Sequence, residues 1–185
     1  QNLQIDCPDL GLLQIDVCYG GNYYAIVEVQ ENFKGIENYT AGQLIGWSGV
    51  LRKRINEAQR FVHPNDPTIN GCSHILWAGD TINKKNTARN AVFYGDKAID
   101  RSPCGTGTSA RLAHWYHRKK LKQGEPFYHE SIIGSVFIGK VEGVTEIGGQ
   151  EAIIPSIEGW AKIYGFNTIS IDPKDDPYAK GFQVV

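Results

Sequence analysis

The 185-residue sequence contains no methionine and few of the residues that usually bind metals or form cross-links. Its four cysteines, Cys7, Cys18, Cys72 and Cys104, are widely spaced and form neither a paired metal-ligand motif nor a disulfide framework. We therefore predict free thiols, a reducing cytoplasmic compartment and no metal site. No apolar run approaches the roughly 20 residues that span a bilayer, so we expect no membrane partner.

Charge of one sign is not in excess either. Lysine and arginine number 19 against 20 aspartate and glutamate residues, for a formal net charge of −1. A balanced chain has no general attraction to nucleic acid or to anionic membranes. A basic cluster occurs over 111–122, but cations at the end of a predicted helix are favoured by the helix dipole. His114 and His117 lie within it without a third metal ligand nearby in the sequence.

The most informative stretch is 100–111, which reads Asp-Arg-Ser-Pro-Cys-Gly-Thr-Gly-Thr-Ser-Ala-Arg. It joins a strand-like run at 91–94 to a helix-like run at 110–121, so Cys104 is predicted to stand where the helix begins. The first amides of a helix lack internal partners and carry the positive end of the helix dipole. Such a turn can bind a carboxylate or phosphate, and it favours the thiolate form of a cysteine. These features suggest carbanion or acyl chemistry on a small acid.

Other interpretations of this stretch stay open at the level of residues. An unpaired cysteine most often packs as a small buried hydrophobe. Gly105, Gly107 and Ala110 match the G-x-G-x-x-A pattern of dinucleotide-binding turns, although the short glycine-punctuated strands predicted after the helix do not provide the βαβ context. Asp100, four residues before Cys104, either pairs with a substrate ammonium or caps the turn by bonding backbone amides.

Hydrophobic periodicity predicts an α+β chain with two helices and many short strands. One helix with an apolar stripe is predicted over 40–59 and a second over about 108–122. Runs of apolar and aromatic residues between glycines predict strands at 12–17, 23–29, 74–78, 91–94, 131–141, 144–147, 152–154, 161–164 and 168–171. Residues 63–68 and 80–90 are predicted loops, and Asp172, Asp175 and Asp176 are predicted turn residues. The pair Gly20-Gly21 forms a tight turn or lets the backbone approach another element closely.

The stretch 100–111 resembles the second cysteine motif of the proline racemase family. The resemblance continues over 19–27, over His129-Glu130-Ser131-Ile132-Ile133-Gly134-Ser135, and in the closing Asp172-Pro173, Asp176-Pro177 and Gly181-Phe182, so it covers nearly the whole chain. It implies an α+β fold like that of diaminopimelate epimerase, with two lobes that each curl a β-sheet around a central helix. The helix after Cys104 would be the central helix of one lobe, and the active site would lie between the lobes.

The resemblance also implies an activity, which is inversion of an amino acid at its α-carbon without metal or pyridoxal phosphate. Cys104 would act on one face of the α-carbon as general acid or base, while the backbone amides of Gly105 and Thr106 bind the substrate carboxylate. Asp100 would hold the substrate ammonium. A dehydratase branch carries threonine at the position of Cys104, so the cysteine favours the racemase and epimerase branch. The expected substrate is 4-hydroxyproline, with proline as the alternative.

One feature of the family is absent from the sequence. The family's other catalytic cysteine lies in an N-terminal Met-Cys-Gly-His motif, which does not occur here. We therefore expect residues 1–185 to be the C-terminal part of a two-lobed enzyme, inactive alone, with about 10–170 forming one lobe and about 171–185 crossing back to an N-terminal lobe. A lobe that binds a small carboxylate without turning it over and a nucleotide-dependent enzyme remain alternatives, and a homodimer stays open.

Overall fold

The computed structural model describes residues 2–182 of the chain. Within that part, two α-helices, one turn of 3₁₀ helix and eleven strands follow one another along the sequence. The helices are α1 (Ala41–Ala58) and α2 (Gly105–His117), and the 3₁₀ turn is Ile36–Asn38. The strands are β1 (Leu3–Cys7), β2 (Gly11–Tyr19), β3 (Tyr23–Val27), β4 (Val62–His63), β5 (Asp66–Asn70), β6 (Cys72–Gly79), β7 (Ala88–Tyr94), β8 (Ala98–Ile99), β9 (Phe127–Glu130), β10 (Val136–Ile147) and β11 (Gln150–Glu158).

Nine of these strands form one sheet. Its order is β1-β2-β3-β6-β7-β9-β10-β11, with β8 paired to β7, while β4 and β5 form a separate hairpin. Neighbours are antiparallel except in the pairs β3–β6 and β7–β9, which are parallel. A parallel pair needs a crossover connection. The two helices supply them, because α1 lies between β3 and β6 in the sequence and α2 lies between β7 and β9.

Helix α2 lies inside the curl of the sheet. It contacts β2 and β3 from one half of the sheet and β10 and β11 from the other half. Strands that are far apart in the sheet order therefore meet the same helix. The predicted α+β fold, with a curled sheet around a central helix that follows Cys104, is confirmed.

Helix α1 covers the opposite face of the sheet. It begins after Thr40, whose side chain and that of Gln43 bond reciprocally to each other's backbone N–H groups in a capping box. Its buried residues recur at three- and four-residue steps and are Leu44, Trp47, Ser48, Leu51 and Ile55. The helix predicted over 40–59 is thus confirmed. In the part of the chain that the structure describes, neither helix is both long and apolar enough to cross a membrane.

Strand β3 shows how one strand serves both layers. Successive side chains of a strand point to opposite faces of the sheet. Ala25 and Val27 pack in the cluster that includes α1, whereas Tyr24 and Ile26 pack with Ala110 of α2. Residue 24 is thereby placed against the first turns of α2, where Cys104 lies.

Several predicted boundaries are wrong. Helix α2 ends at His117 rather than near 122, since Arg118 closes it and Lys119 has a φ of 59°, which a right-handed helix does not allow. The loop predicted over 63–68 contains most of the β4–β5 hairpin. The strand predicted over 131–141 begins only at Val136, because 131–135 form a turn in which the N–H of Ser131 bonds to the carbonyl of Ser135 at 2.8 Å.

The segment after β11 differs most from its prediction. Residues 161–164 and 168–171 form no strands, and their side chains are exposed, as shown by Tyr164, which is 93% exposed. The backbone N–H and C=O groups of a strand need hydrogen-bond partners on a neighbouring strand, and this segment does not pair with the sheet. The predicted turn role of Asp172 and Asp176 is met, because each carboxylate accepts a backbone N–H two residues ahead. Residues 183–185 of the predicted crossing segment lie outside the described residues.

Candidate active site

Cys104 is the residue immediately before α2, and its backbone is unusual. Its φ of 69° and ψ of 120° lie in a region that non-glycine residues rarely occupy, so surrounding contacts must hold it there. Its N–H donates to Ser102 Oγ at 3.0 Å. Its carbonyl accepts two hydrogen bonds at 2.7 Å, one from the N–H and one from the Oγ1 of Thr108. The backbone of the cysteine is therefore fixed from both sides.

The thiol of Cys104 faces a buried tyrosine. Its Sγ lies 3.2 Å from the hydroxyl of Tyr24, and that hydroxyl lies 2.5 Å from Thr106 Oγ1. Gly107 permits this arrangement, since a Cβ there would lie 3.3 Å from both Cys104 Sγ and Tyr24 Cε1. Burial raises the pKa of Tyr24 above its ordinary value, and the hydrogen bond with Cys104 raises this pKa further. No role was predicted for Tyr24 from the sequence, although the residue lies within the stretch 19–27 that resembles the family.

A second pair of side chains supports the cysteine from behind. Thr108 Oγ1, which donates to the Cys104 carbonyl, also lies 2.9 Å from His129 Nδ1. Because the threonine hydrogen is used on the carbonyl, the histidine must donate through Nδ1–H. Burial lowers the pKa of His129 well below 6.5, and the nearby Arg111 guanidinium lowers it further, so the ring is neutral. His129 was recognised only as part of a motif, and its contact with Thr108 is decided by the fold.

The backbone amides at the start of α2 are available for an anion. The first intrahelical hydrogen bond runs from the N–H of Thr108 to the carbonyl of Cys104, so residues 105–107 precede the bonded part of the helix. Gly105 is exposed and Thr106 is half-buried. Their N–H groups lie at the positive end of the helix dipole, which favours a carboxylate beside the thiol.

Asp100 belongs to the turn that leads into Cys104. Its Oδ1 accepts hydrogen bonds from the N–H of Ser102 at 2.9 Å and from the Oγ of Ser102 at 2.8 Å. Ser102 Oγ in turn accepts the N–H of Cys104, so the carboxylate supports the cysteine through one intermediate residue. Within residues 2–182, the other carboxylate oxygen of Asp100 accepts no hydrogen bond. Asp100 therefore serves the turn with one oxygen and keeps the other available.

His74 is a further neighbour that sequence reasoning missed. Its ring lies 4.7 Å from the ring of Tyr24 and 5.9 Å from that of Tyr94, measured between centroids. Burial lowers the pKa of His74, and Arg52 adds to this effect, while Asp100 opposes it. The histidine thus packs in a tilted orientation against the tyrosine that bonds the thiol. No sequence pattern links positions 24, 74 and 104; they meet because β3 and β6 are adjacent strands.

The opposite end of α2 carries a different charged cluster. His114 Nε2 lies 2.8 Å from Asp16 Oδ2, Arg118 also bonds to that carboxylate, and Arg111 forms an ion pair with Glu28 at 2.5 Å. Burial alone would raise the pKa of Asp16, but its hydrogen bonds outweigh burial and hold the pKa below its ordinary value. A cleft of about 220 Å³ adjoins this cluster. His114 thus pairs with a carboxylate rather than with His117, which is exposed.

Comparison with known proteins points to a single family. A family model described as proline racemase matches residues 1–183. A protein of Spirosoma linguale named 4-hydroxyproline 2-epimerase is 64% identical over 185 residues, which are 100% of this chain and 55% of that protein. A protein of Ancylobacter novellus with the same name is 60% identical, with the same coverage of both chains.

Solved structures give the same result. A hydroxyproline epimerase from Agrobacterium vitis, with bound trans-4-hydroxy-L-proline, matches with a TM-score of 0.80 and 33% identity over 99% of this chain and 52% of that one. A probable proline racemase from Agrobacterium radiobacter, with bound carbonate, matches with a TM-score of 0.79 and 36% identity over 99% and 53%. The chain spans about half the length of the relatives it matches. Because the family model matches residues 1–183, this chain belongs to the proline racemase family.

Proposed function

We propose that this chain is the Cys104-bearing half of a cofactor-independent epimerase that inverts 4-hydroxyproline at C2. The observation that carries the proposal is the Cys104 thiol beside the amides of Gly105 and Thr106, which precede the first intrahelical hydrogen bond of α2. Relatives named 4-hydroxyproline 2-epimerase are 64% and 60% identical to the chain, and a neighbour of known structure binds trans-4-hydroxy-L-proline. The four free thiols also fit a cytoplasmic location.

In the proposed mechanism, the substrate carboxylate lies on the N–H groups of Gly105 and Thr106. An α-proton is very weakly acidic, so the carbanion must be stabilised as it forms. Charge that spreads from the α-carbon into the carboxylate is met by these fixed donors and by the helix dipole. The Cys104 thiolate takes the α-proton to form S–H, and the C–H electron pair remains on the substrate. A second acid, on the opposite face, then delivers a proton to give the inverted centre.

Asp100 is proposed to bind the substrate ammonium. One carboxylate oxygen holds the turn through Ser102, and the other has no partner within residues 2–182. The thiol contacts the α-carbon, and the amides bind the substrate carboxylate. An ionic bond from Asp100 to the ammonium would add a third point of contact with the amino acid. Three contacts of this kind define which face of the α-carbon meets Cys104.

The second acid is proposed to come from a second lobe, which corresponds to the other half of the relatives' length. The segment 159–182 supports this proposal because it carries large apolar side chains in solvent. The exposed ones are Trp160, Ile163, Tyr164, Phe166, Ile169, Ile171, Tyr178 and Phe182. Apolar area of this extent usually marks an interaction surface. We propose that this segment packs on the second lobe, so the crossing begins earlier than the predicted residue 171.

Two alternatives are kept. Proline is the alternative substrate, because a probable proline racemase is among the matching structures. The alternative of another class is a lobe that binds a small carboxylate on the amides of Gly105 and Thr106 without catalysis. This alternative is favoured if the chain acts in the cell without a second lobe, because inversion needs an acid and a base on opposite faces of the α-carbon.

The deciding experiment uses deuterium oxide. The 185-residue chain, and the same chain joined to the second lobe, are incubated with 4-hydroxy-L-proline or L-proline, and the products are followed by NMR and chiral chromatography. We expect C2-deuterated, inverted 4-hydroxyproline only from the two-lobed protein, and none after Cys104→Ser, because serine is a far weaker acid than cysteine. Inversion by the 185-residue chain alone would overturn the two-lobe mechanism. Carboxylate binding without exchange in the two-lobed protein would favour the binding lobe.

A further inference from the structure

The Tyr24 hydroxyl lies between two side-chain atoms of the turn that begins α2. It is 3.2 Å from Cys104 Sγ and 2.5 Å from Thr106 Oγ1, and those two atoms are 3.8 Å apart. We infer that Tyr24 is a catalytic hydrogen-bond donor that stabilises the Cys104 thiolate, both before the thiolate accepts the α-proton and when it forms again after the thiol has given a proton to the substrate carbanion. The inference rests on the proposed acid–base function of Cys104 and adds a residue to it.

The number of hydrogens explains how this contact works. The Tyr24 hydroxyl has one hydrogen and lies within hydrogen-bond distance of both Cys104 Sγ and Thr106 Oγ1, so the direction of that hydrogen follows the charge of the sulfur. When Cys104 is a thiolate, Tyr24 donates to sulfur and the hydroxyl of Thr106 donates to the Tyr24 oxygen. When the thiolate has taken the α-proton, the new S–H no longer needs a donor, and Tyr24 can turn its hydrogen toward Thr106. Only hydroxyl hydrogens rotate, and no heavy atom has to move.

The tyrosine oxygen is held in place by its ring. The Tyr24 side chain is fully buried, and its ring packs against His74 and lies close to Gly107. A fixed donor of this kind stabilises a charge without reorganising when the charge forms. Burial also raises the pKa of Tyr24, so at neutral pH the phenol keeps its hydrogen and remains a donor.

The competing explanation is that Tyr24 only fills the core. Its ring does pack with Ile26, Leu76 and Ala110. Tyr24→Phe separates the two explanations, because it keeps the ring and removes only the oxygen. Tyr23→Phe is the matched control, since Tyr23 precedes it on β3, packs against Tyr19 and Phe61 instead, and belongs to the cluster that includes α1.

The test measures alkylation of Cys104 by iodoacetamide as a function of pH in the 185-residue chain, with the modified peptide quantified by mass spectrometry. Alkylation reports the thiolate and needs neither substrate nor a second lobe. For Tyr24→Phe, we expect the pH of half-maximal rate to rise by about one unit, since a hydrogen bond to a charged group is typically worth tenfold or more. Tyr23→Phe should leave the profile unchanged. An unchanged profile in folded Tyr24→Phe would overturn the inference.

A second substitution keeps the test decisive if Tyr24→Phe fails to fold. Thr106→Val removes the donor to the Tyr24 oxygen, while Thr106→Ser keeps it. We expect the profile of Thr106→Val to move in the same direction as that of Tyr24→Phe, and the profile of Thr106→Ser to stay in place. Equal profiles for these two variants would contradict the inference.

The alkylation test is independent of the proposed function. If the profile of Tyr24→Phe shifts but the two-lobed protein has no epimerase activity, the hydrogen bond to the thiolate is supported and the proposed function is rejected.

Discussion

Gly20 lies directly against the backbone of Ala110. A Cβ at position 20 would lie 2.4 Å from the Ala110 nitrogen and 2.3 Å from the carbonyl oxygen of Thr106, which is closer than real atoms approach. The turn between β2 and β3 therefore touches the first turns of α2 through a residue without a side chain. This close approach brings β3 near the start of α2, so that Tyr24, four residues after Gly20, contacts Cys104. It also explains the glycine pair, which the sequence left open between a tight turn and a close approach.

The first prediction concerns this contact. Gly20→Ala should lower the free energy of unfolding by about 1–3 kcal/mol, because backbone atoms of α2 must shift to make room for the added methyl group. Gly46→Ala is the matched control: Gly46 lies within α1, and a Cβ there meets no atom within 4 Å. This control should stabilise the chain by about 0.5–1 kcal/mol. Urea unfolding of both variants checks the prediction, which is contradicted if Gly20→Ala is as stable as the parent.

The second prediction concerns the reactivity of the four thiols. Burial raises the pKa of Cys7, Cys18 and Cys72 to about 12, so at pH 8 only ~1 in 10⁴ of each is thiolate. Cys104 is half-buried and lies at the start of α2. We expect iodoacetamide to modify Cys104 first and the other three only upon unfolding. Mass spectrometry of the labelled peptides gives the order, and equal labelling of all four cysteines in the folded chain would refute it.

The third prediction separates the two roles of Asp100. Asp100→Asn keeps an oxygen for Ser102 but loses the charge, whereas Asp100→Ala loses both. In the two-lobed protein, we expect Asp100→Asn to bind 4-hydroxyproline on the order of tenfold more weakly, because the substrate ammonium loses its ionic partner. Its free energy of unfolding should change by less than ~0.5 kcal/mol, while Asp100→Ala should lose about 1 kcal/mol more. If Asp100→Asn binds 4-hydroxyproline normally, the proposed contact with the substrate ammonium is wrong and Asp100 only supports the turn.

The fourth prediction concerns the support behind Cys104. Thr108→Val has nearly the same shape but removes the hydroxyl that donates to the Cys104 carbonyl and accepts from His129. A buried imidazole N–H is then left without a partner, so we expect a loss of about 1–3 kcal/mol in unfolding free energy. Cys104 should also be alkylated at a different rate, since its unusual backbone is no longer held. Thr108→Ser is the control that keeps both bonds; if it behaves like Thr108→Val, packing rather than the hydroxyl is responsible.

The fifth prediction concerns acid stability. The pKa of His129 is lowered well below 6.5 in the folded chain, so the unfolded chain binds a proton more readily. Its contribution to stability is therefore complete above pH 6.5 and is lost as the pH falls below that value. His129→Asn keeps an N–H donor without titrating, so its melting temperature should fall less between pH 7.5 and pH 5. His74 contributes in the same direction and remains in the variant. The control is His117→Asn, at an exposed position; an equal fall in parent and His129→Asn would contradict the assignment.

The local elements were largely determined by the sequence itself. The apolar stripe over 40–59 predicts α1 because helix periodicity and capping depend on residues three or four apart. The pattern around Cys104 predicts a cysteine at a helix start, and the structure places it there. The predicted end of α2 was wrong because basic residues continue the helical pattern beyond Arg118, while the backbone turns at Lys119. The strands predicted over 161–164 and 168–171 were wrong because apolar content alone does not supply a partner edge.

Only the tertiary structure decided what surrounds the thiol. Tyr24 lies 80 residues from Cys104 in the sequence and His74 lies 30 residues away, so no local period relates them. They meet because β3 and β6 are paired in parallel, because alternate side chains of β3 face α2, and because Gly20 lets the β2–β3 turn approach the helix. Contacts of this kind depend on strand register and on packing distance, which a sequence pattern does not encode locally. The sequence thus determined the kind of residue at the site, and the curl of the sheet around α2 determined its hydrogen-bond partners.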